Sequence, residues 1–328
     1  MNRGSAIGVG IWGIGEHARR NLIPALLSSA AVELAAVHTR RDDVLAEVAE
    51  STGATPYRDV DRFLDSSDVE VILVASPTGL HADMAMEVIG AGKHVWCEKP
   101  MTIGHEETRR IVDAAWEAGL VALETDMFLH HPQFIEMARI ARSGDLGPIA
   151  SVTARFGFPH VSETNFRYSS DLGGGALLDA AFYPVAAVVA LLGSGLRTLG
   201  AEIQYQGVGG VDVGGAALLA SDGSTGMLDW GFGRAYRSEI EIWCERGTIA
   251  AERAFAKPET LATSVTVRSQ VDGNRVEMID AVNHFTLMFD HFAEITTNAI
   301  GFDPTAILER SRLLDEIRTL GTSDAAAP

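Results

Sequence analysis

Cysteine is scarce. Two occur in 328 residues, Cys97 and Cys244, far apart and without the spacing of a zinc site or a disulfide framework. A reducing compartment is the expectation that follows. Positive charge is also short: 26 Lys and Arg stand against 44 Asp and Glu, for a formal net charge of −18. That balance disfavours a nucleic-acid or anionic-membrane surface, while leaving room for a local basic pocket that takes a phosphate. No apolar run reaches the roughly 18 residues of a membrane span. The opening residues, Met1-Asn2-Arg3-Gly4-Ser5-Ala6, show no charged-then-apolar leader before a strand pattern begins. A cytoplasmic protein without nucleic-acid or membrane partners is expected. What remains is ordinary globular composition, 47% apolar and 21% charged, in a length that suggests two domains.

The first third alternates strand and helix patterns, which predicts a doubly wound parallel sheet. Ala6 to Trp12 reads as a buried strand, and Gly13-Ile14-Gly15-Glu16-His17-Ala18 opens a helix that runs to about Leu27. This is G-x-G-x-x-A in its required context. The first glycine allows the turn, the second lets a pyrophosphate approach the backbone, and the small third residue lets helix pack on strand. The helix N-terminus then offers N–H groups to phosphate. The second strand, Val32 to Val37, ends in His38-Thr39-Arg40-Arg41. His38 stands where an NAD site carries an acid for the ribose hydroxyls, and Thr39, Arg40 and Arg41 suit a 2′-phosphate. NADP is therefore favoured, with NAD second. The arginines also fit a solvated helix start, with Asp42 and Asp43 as ion-pair partners. The loop Ser76-Pro77-Thr78-Gly79-Leu80-His81 follows the strand Val69 to Ala75, and in a doubly wound sheet it lies beside the glycine loop and borders the nicotinamide half of the cofactor. Lys93 to Trp96 then reads as a strand ending in Cys97-Glu98-Lys99-Pro100, which puts an ammonium at the carboxyl edge where such sheets bind ligands.

After the strand Val121 to Thr125 the pattern changes. A boundary there gives a dinucleotide-binding domain over 1–125 and a substrate-binding and oligomerisation domain over 126–328. From Arg197 onward short strands follow one another with turns between them, which predicts a large, mostly antiparallel open sheet in an α+β domain. The closing helices, Asn283 to Ala299 and Pro304 to Leu320, are expected to return to the first domain. His130 and His131 are adjacent, point in different directions and have no third ligand at metal spacing, so no metal is assigned. The stretch Asp171 to Pro184 holds Gly173-Gly174-Gly175 ahead of a helix, with Asp179 and Tyr183 four apart and predicted on one face. A phenol so placed can donate to an oxygen that receives charge, and a nearby ammonium would lower its pKa, which suits carbonyl–alcohol chemistry. A packed tyrosine bonded to backbone is the other reading.

The glycine loop, Pro77-Thr78 with His81, and Glu98-Lys99-Pro100 together resemble the Gfo/Idh/MocA family of NAD(P)-dependent oxidoreductases, over nearly the whole chain. The resemblance implies that Lys99 lies between nicotinamide and substrate and that the Lys99–Pro100 peptide is cis. Cofactor contacts would come from Gly13, Ile14, Gly15, Glu16, His17, Thr39, Arg40, Arg41, Ser76, Pro77, Thr78, His81, Glu98 and Lys99. Glycines, then Asp, then Tyr is similar to the Tyr branch of glucose–fructose oxidoreductase, dihydrodiol and xylose dehydrogenases and nucleotide-sugar 3-ketoreductases, with Ala181 where that branch commonly has glycine. It implies Lys99 and Tyr183 as the acid–base pair, with Asp179 holding a substrate hydroxyl or orienting Lys99. Phe128 and His130, on the segment crossing into the second domain, Phe158, and Arg167 of Asn165-Phe166-Arg167-Tyr168 would join them at the substrate. An NADP-dependent oxidoreductase of a sugar or nucleotide-linked sugar is expected, as a homodimer or homotetramer through the C-terminal sheet. A redox-assisted, NAD-dependent glycosidase and a non-catalytic dinucleotide-binding regulator are the alternatives within the family.

Overall fold

The computed structural model describes residues 6–162, 164–205, 210–298 and 302–323. Strand and helix alternate as β1 (Ile7–Trp12), α1 (Ile23–Ser28), β2 (Val32–His38), α2 (Asp42–Thr52), β3 (Thr55–Tyr57), α3 (Val60–Leu64), β4 (Val71–Val74), α4 (His81–Gly90), β5 (His94–Cys97), α5 (His105–Glu117) and β6 (Ala122–Glu124). There follow α6 (Pro132–Arg142), β7 (Ile149–Phe158), α7 (Ala176–Asp179), α8 (Phe182–Leu192), β8 (Arg197–Tyr205), β9 (Asp212–Ser221) and β10 (Ser224–Phe232). The chain closes with β11 (Arg237–Cys244), β12 (Gly247–Glu252), β13 (Thr263–Ser269), β14 (Gly273–Ile279), α9 (His284–Asn298) and α10 (Thr305–Ser323). Two units form: Met1–Met127 with His284–Pro304, and Phe128–Asn283 with Thr305–Pro328. Of the two closing helices expected beside the first domain, α9 therefore belongs to the first unit and α10 to the second; Ala299 lies outside the described residues.

In the first unit six strands pair in the order β3-β2-β1-β4-β5-β6, all parallel. This is the doubly wound order, with its switch point between β1 and β4. Every residue of β4 is buried, as a central strand covered on both faces requires. The helix after the glycine loop departs from regular α geometry. Residues Ala18–Leu22 form a π-helical turn before α1, because Pro24 has no N–H to give Arg20 and its ring would crowd that carbonyl.

Trp96 of β5 is fully buried. Its ring stacks on Phe289 of α9 at 5.6 Å and meets Phe292 edge-on at 5.5 Å, while Nε1 donates to Thr296 Oγ1 at 3.3 Å. Thr286 Oγ1 donates to the Ala25 carbonyl at 3.3 Å, tying the other end of α9 to α1. A helix nearly 200 residues away in sequence thus completes the core under the strand that ends in Lys99.

The second unit is built on an eight-stranded sheet in the order β14-β13-β12-β11-β7-β10-β9-β8. Only β7 and β10 run parallel, and every other neighbouring pair is antiparallel. One face carries α8, whose sequence Phe-Tyr-Pro-Val-Ala-Ala-Val-Val-Ala-Leu-Leu is apolar all round and almost wholly buried. α10 packs against α8 and β8, where Glu309 Oε1 accepts from the Leu196 N–H at 2.9 Å. The edge strand β14 was not anticipated: its residues are mostly exposed, so they show no buried alternation to read.

Replacing Trp96 by alanine is expected to cost the first unit about 3–5 kcal/mol, the usual range for an aromatic cavity in a core. Hydrogen exchange across residues 284–298 checks the cause. Slow exchange there in the variant, equal to wild type, would show that α9 does not depend on this side chain.

Candidate active site

At the switch point the loops after β1 and β4 touch. Gly13 has φ +98°, and a Cβ on it would lie 3.0 Å from the Ala75 carbonyl and from the Ser76 nitrogen, so only glycine fits. A Cβ on Gly15 would meet nothing within 4 Å, which leaves the backbone open to a ligand. Ile14 is buried, and Glu16 is turned to solvent in an ion pair with Arg20 at 2.8 Å. Arg41 Nη2 donates to the Ile14 carbonyl at 2.6 Å, which brings its guanidinium to the glycine loop. Arg40 is exposed beside it and Thr39 is buried. Asp42 pairs with Arg58 at 3.3 Å rather than with either arginine. His38 faces inward: Nδ1 bonds the Tyr57 carbonyl at 2.9 Å and the ring stacks on Phe63 at 5.6 Å. The position that an NAD site fills with an acid is therefore packed, and cations stand next to it.

The Lys99–Pro100 peptide is cis. The turn around it is held from three sides. Lys99 N–H is shared between Glu98 Oε2 and Thr125 Oγ1, each at 3.2 Å, and Met101 N–H donates to Glu124 Oε1 at 2.7 Å. His81 Nδ1 lies 3.1 Å from the Pro100 carbonyl, and Nε2 lies 2.8 Å from the Ser76 carbonyl. His81, expected at the cofactor, is fully buried and tethers two loops. Burial pushes its imidazole toward the neutral form against the pull of those carbonyls and Glu98. Ser76 and Pro77 remain half-exposed and Thr78 is buried at the start of a 3₁₀ turn.

Glu98 is buried, and its Oε1 has no hydrogen-bond partner among the described residues. His17 Nε2 stands 3.4 Å from that oxygen, with His17 Nδ1 on Asn21 Nδ2 at 2.9 Å. Burial pushes the Glu98 carboxyl up, but His17, Lys99 and the Thr125 hydroxyl outweigh it and hold it below the usual glutamate value. An anion with a lone pair to spare suits a ribose hydroxyl donor. The open backbone at Gly15, the guanidinium at Ile14 and this oxygen together fit a dinucleotide.

The second unit supplies a different set. Asp179 and Tyr183 do not share one continuous helix: α7 ends at Asp179 and α8 starts at Phe182. The helical segment Ser170–Asp179 meets α8 at a bend of 50°. Pro184 explains the break, since it can give no N–H to the Ala180 carbonyl, and Ala181 N–H bonds Ala176 O at 2.9 Å in a wider turn. Arg167 grips Asp179 with two contacts, Nε to Oδ2 at 2.5 Å and Nη2 to Oδ1 at 3.3 Å. Tyr183 is buried in an aromatic cage of Phe156 at 4.7 Å, Phe255 at 5.6 Å, Phe182 at 5.8 Å and Phe128 at 6.0 Å. Phe128, expected on the substrate, has no exposed surface and acts as a wall of that cage. Phe158 is half-buried and tilted on Phe232 at 4.9 Å. His130 is half-buried, whereas His131 caps α6 by accepting the Gln133 N–H at 3.0 Å.

One participant was not foreseen. Asp212 Oδ2 accepts the Leu177 N–H at 2.5 Å, and a Cβ on Gly175, where φ is +114°, would lie 2.1 Å from Asp212 Oδ1. The third glycine thus makes room for a carboxylate that caps the turn leading to Asp179. The partners are 35 residues apart in sequence, so nothing local announces them. Thr125 and Glu124 did carry a signal, as polar residues closing an apolar strand. The first unit therefore presents a basic, glycine-walled phosphate cradle and a pinned lysine, and the second a caged phenol beside an Arg–Asp pair.

Comparison with known proteins follows the same division. The family model "Oxidoreductase family, NAD-binding Rossmann fold" matches residues 7–125, and the GFO/IDH/MocA C-terminal domain matches residues 134–250. A dTDP-3,4-didehydro-2,6-dideoxy-alpha-D-glucose 3-reductase from Streptomyces violaceoruber is 31% identical over 95% of each chain. Its counterpart from Actinomadura kijaniata is 33% identical over 98% of this chain and 97% of its own. A 3-ketoreductase from Actinomadura kijaniata, solved with NADP and TDP-benzene, superposes with a TM-score of 0.90 at 33% identity, covering 96% of this chain and 98% of its own. That enzyme has also been solved with a tyrosine changed to phenylalanine and with a lysine changed to alanine.

Burial pushes the Asp212 carboxyl up to about 6 from its ordinary 3.8, against the backbone N–H of Leu177 and the charge of Arg318. The folded chain then holds a proton that the unfolded chain has released. The stability this contributes is complete below the ordinary value and is lost as pH rises through about 6, amounting to about 3 kcal/mol. Asp212→Asn cannot ionise, so relative to wild type it should gain about that much between pH 4 and pH 7.5. Urea unfolding at both pH values reads this directly; a constant difference would mean that Asp212 titrates normally.

Proposed function

The chain belongs to the GFO/IDH/MocA oxidoreductase family, and on that premise we propose that it is an NADP-dependent 3-ketoreductase of a nucleotide-linked deoxysugar. The reading is carried by the caged phenol of Tyr183 and the pinned Lys99, held by a chain that is similar from end to end to 3-reductases of dTDP-linked sugars. Support for NADP comes from Arg41 at the glycine loop, Arg40 beside it and the inward turn of His38.

When bound, the nicotinamide cofactor supplies the hydride that the carbonyl carbon receives. Gly13, Gly15 and the helix start would hold its pyrophosphate, Thr39, Arg40 and Arg41 the 2′-phosphate, and Glu98 a ribose hydroxyl. Tyr183 gives its phenolic proton to the carbonyl oxygen, so that a C–H and an O–H bond form as the C=O double bond is reduced to the alcohol. Lys99 polarises that oxygen and stabilises the phenolate left behind, which then regains a proton from solvent. The surrounding rings bury most of the Tyr183 side chain, so local charges act on the phenol with reduced screening while its oxygen still exchanges protons with solvent.

A second copy of the chain is the proposed partner of the uncovered sheet face. Trp243, 60% exposed, Met227, 42%, and Leu218, 39%, share the face turned away from the helices. Arg155 and Glu239 pair with each other on that face at 2.8 Å, which leaves its exposed apolar side chains to meet the same side chains of a second copy.

Consumption of NADPH should be followed by absorbance with a panel of nucleotide-linked keto-sugars. Lys99→Ala and Tyr183→Phe are each expected to lower kcat/KM by about 10²–10⁴, and Arg41→Ala to weaken NADPH about tenfold while leaving NADH nearly unchanged. Tight dinucleotide binding without any turnover on the panel would sink the ketoreductase reading. Light scattering on the eluted protein tests the partner. Wild type should run as an oligomer and Trp243→Glu with Met227→Lys as a monomer; a monomeric wild type removes the proposal.

A further inference from the structure

His17 follows the glycine loop directly, and its ring reaches the turn that carries Lys99. Its Nε2 lies 3.4 Å from Glu98 Oε1. Asn21, one helical turn further along, places its amide Nδ2 2.9 Å from His17 Nδ1. An amide NH₂ can only donate, so Nδ1 is the acceptor and the ring proton sits on Nε2, the nitrogen turned to Glu98. Phe285 of α9 meets the same ring edge-on at 5.6 Å. Asn21 thus selects the tautomer, and Phe285 backs the ring that presents it.

We propose that His17 is a positioning residue for the nicotinamide ribose: its Nε2–H closes on Glu98 Oε1 and holds that carboxylate as the acceptor for a ribose hydroxyl. The inference rests on the NADP reading above. Strand order decides which ribose is meant. Arg40 and Arg41 follow β2, on one side of the switch point, whereas Glu98 follows β5, on the other. A dinucleotide whose 2′-phosphate meets the arginines therefore lays its nicotinamide half toward Glu98. One carboxylate oxygen, Oε2, already takes the Lys99 N–H. The other has two lone-pair directions, one for the imidazole N–H and one for the hydroxyl. Oε1 is closed to solvent, so the hydroxyl enters beside a ring that is 47% exposed and has room to shift. At 3.4 Å the imidazole contact is long for a hydrogen bond, and such contacts commonly tighten when the ligand arrives.

The electrostatics agree with the geometry. Burial pushes the Glu98 carboxyl up, and among the groups that pull it down His17 comes first, ahead of Lys99 and the Thr125 hydroxyl. His81 and Cys97 are the other titratable groups that feel its charge. An ionised Glu98 accepts from a hydroxyl, whereas a protonated one would spend a donor on the same partner, so keeping the proton off is part of keeping the site ready. The family resemblance implies that His17 touches the cofactor itself. The distance assigns it instead to Glu98, through which it acts.

Binding of NADPH, followed by its fluorescence, tests the assignment without turnover. His17→Phe keeps a ring against Phe285 and removes the N–H, and it should weaken NADPH about five- to tenfold. His17→Gln, whose Nε2 reaches as far as that of histidine, should restore most of the affinity and guards against misfolding. Adenosine 2′,5′-bisphosphate, which lacks the nicotinamide ribose, should bind all three proteins alike. Glu98→Gln should weaken NADPH as well, and adding His17→Phe to it should cost less than about twofold more, because the two residues act as one. Carbon-13 NMR of the Glu98 carboxyl, assigned by its loss in Glu98→Gln, reads the contact with no ligand present: its titration should move up in His17→Phe. An unmoved titration overturns the inference. So does His17→Gln as weak as His17→Phe, or losses that add with Glu98→Gln, the mark of a direct contact between His17 and the cofactor. Wild type that binds neither NADPH nor NADH sinks the NADP reading, whereas NADPH binding that His17→Phe leaves unchanged sinks this inference alone.

Discussion

One amide holds the reactive edge of the first sheet in place. The Lys99 N–H is divided between Glu98 Oε2 and Thr125 Oγ1, and the next residue, Pro100, has no N–H to give. The chain must therefore reach Met101 before it can bond again, and there it meets Glu124. Two buried carboxylates at the ends of adjacent strands are costly unless backbone donors satisfy them. Here the donors come from the turn that carries the lysine. His81 closes the network by touching the Pro100 carbonyl from the neighbouring loop. The backbone of Lys99 is thus fixed by the ends of three strands.

The two units solve the same problem by different means. In the first, a cation is placed by hydrogen bonds that fix the backbone from which it extends. In the second, a phenol is placed by packing: four phenylalanine rings define where Tyr183 stands, and polar groups adjust its surroundings from outside the cage. Packing locates an aromatic ring well because its quadrupole favours edge contacts at a few angles. The glycine turn serves this arrangement. Gly174 and Gly175 let the Arg167 carbonyl and the Asp212 carboxylate approach where side chains would stand, so Arg167, Asp179 and Asp212 all converge on one short helix.

Contiguous signals were legible in the sequence. The glycine loop, the Glu98-Lys99-Pro100 turn, the strand–helix alternation and the run of antiparallel strands each depend on neighbours within a few residues, and each appears in the structure. Long-range pairings were not legible. Asp212 caps a turn 35 residues earlier, Phe128 finds Tyr183 and Phe255 far along the chain, and His38 turns inward because Tyr57 and Phe63 offer it a carbonyl and a ring. Two prolines lie between these cases. Pro24 and Pro184 were visible, but their effects, a π-turn and a broken helix between Asp179 and Tyr183, came from competition between a missing N–H and helix continuity that periodicity does not weigh.

The division of the closing helices matters for how the protein is made. The first unit is finished only by residues 284–304. At about 5–20 residues per second, a ribosome takes roughly ten to thirty-five seconds to pass from Met127 to Pro304. Until Phe289 is made, Trp96 has no ring of α9 to stack upon. Of the two units, the one whose residues come first along this sequence is not complete until Pro304 has been made.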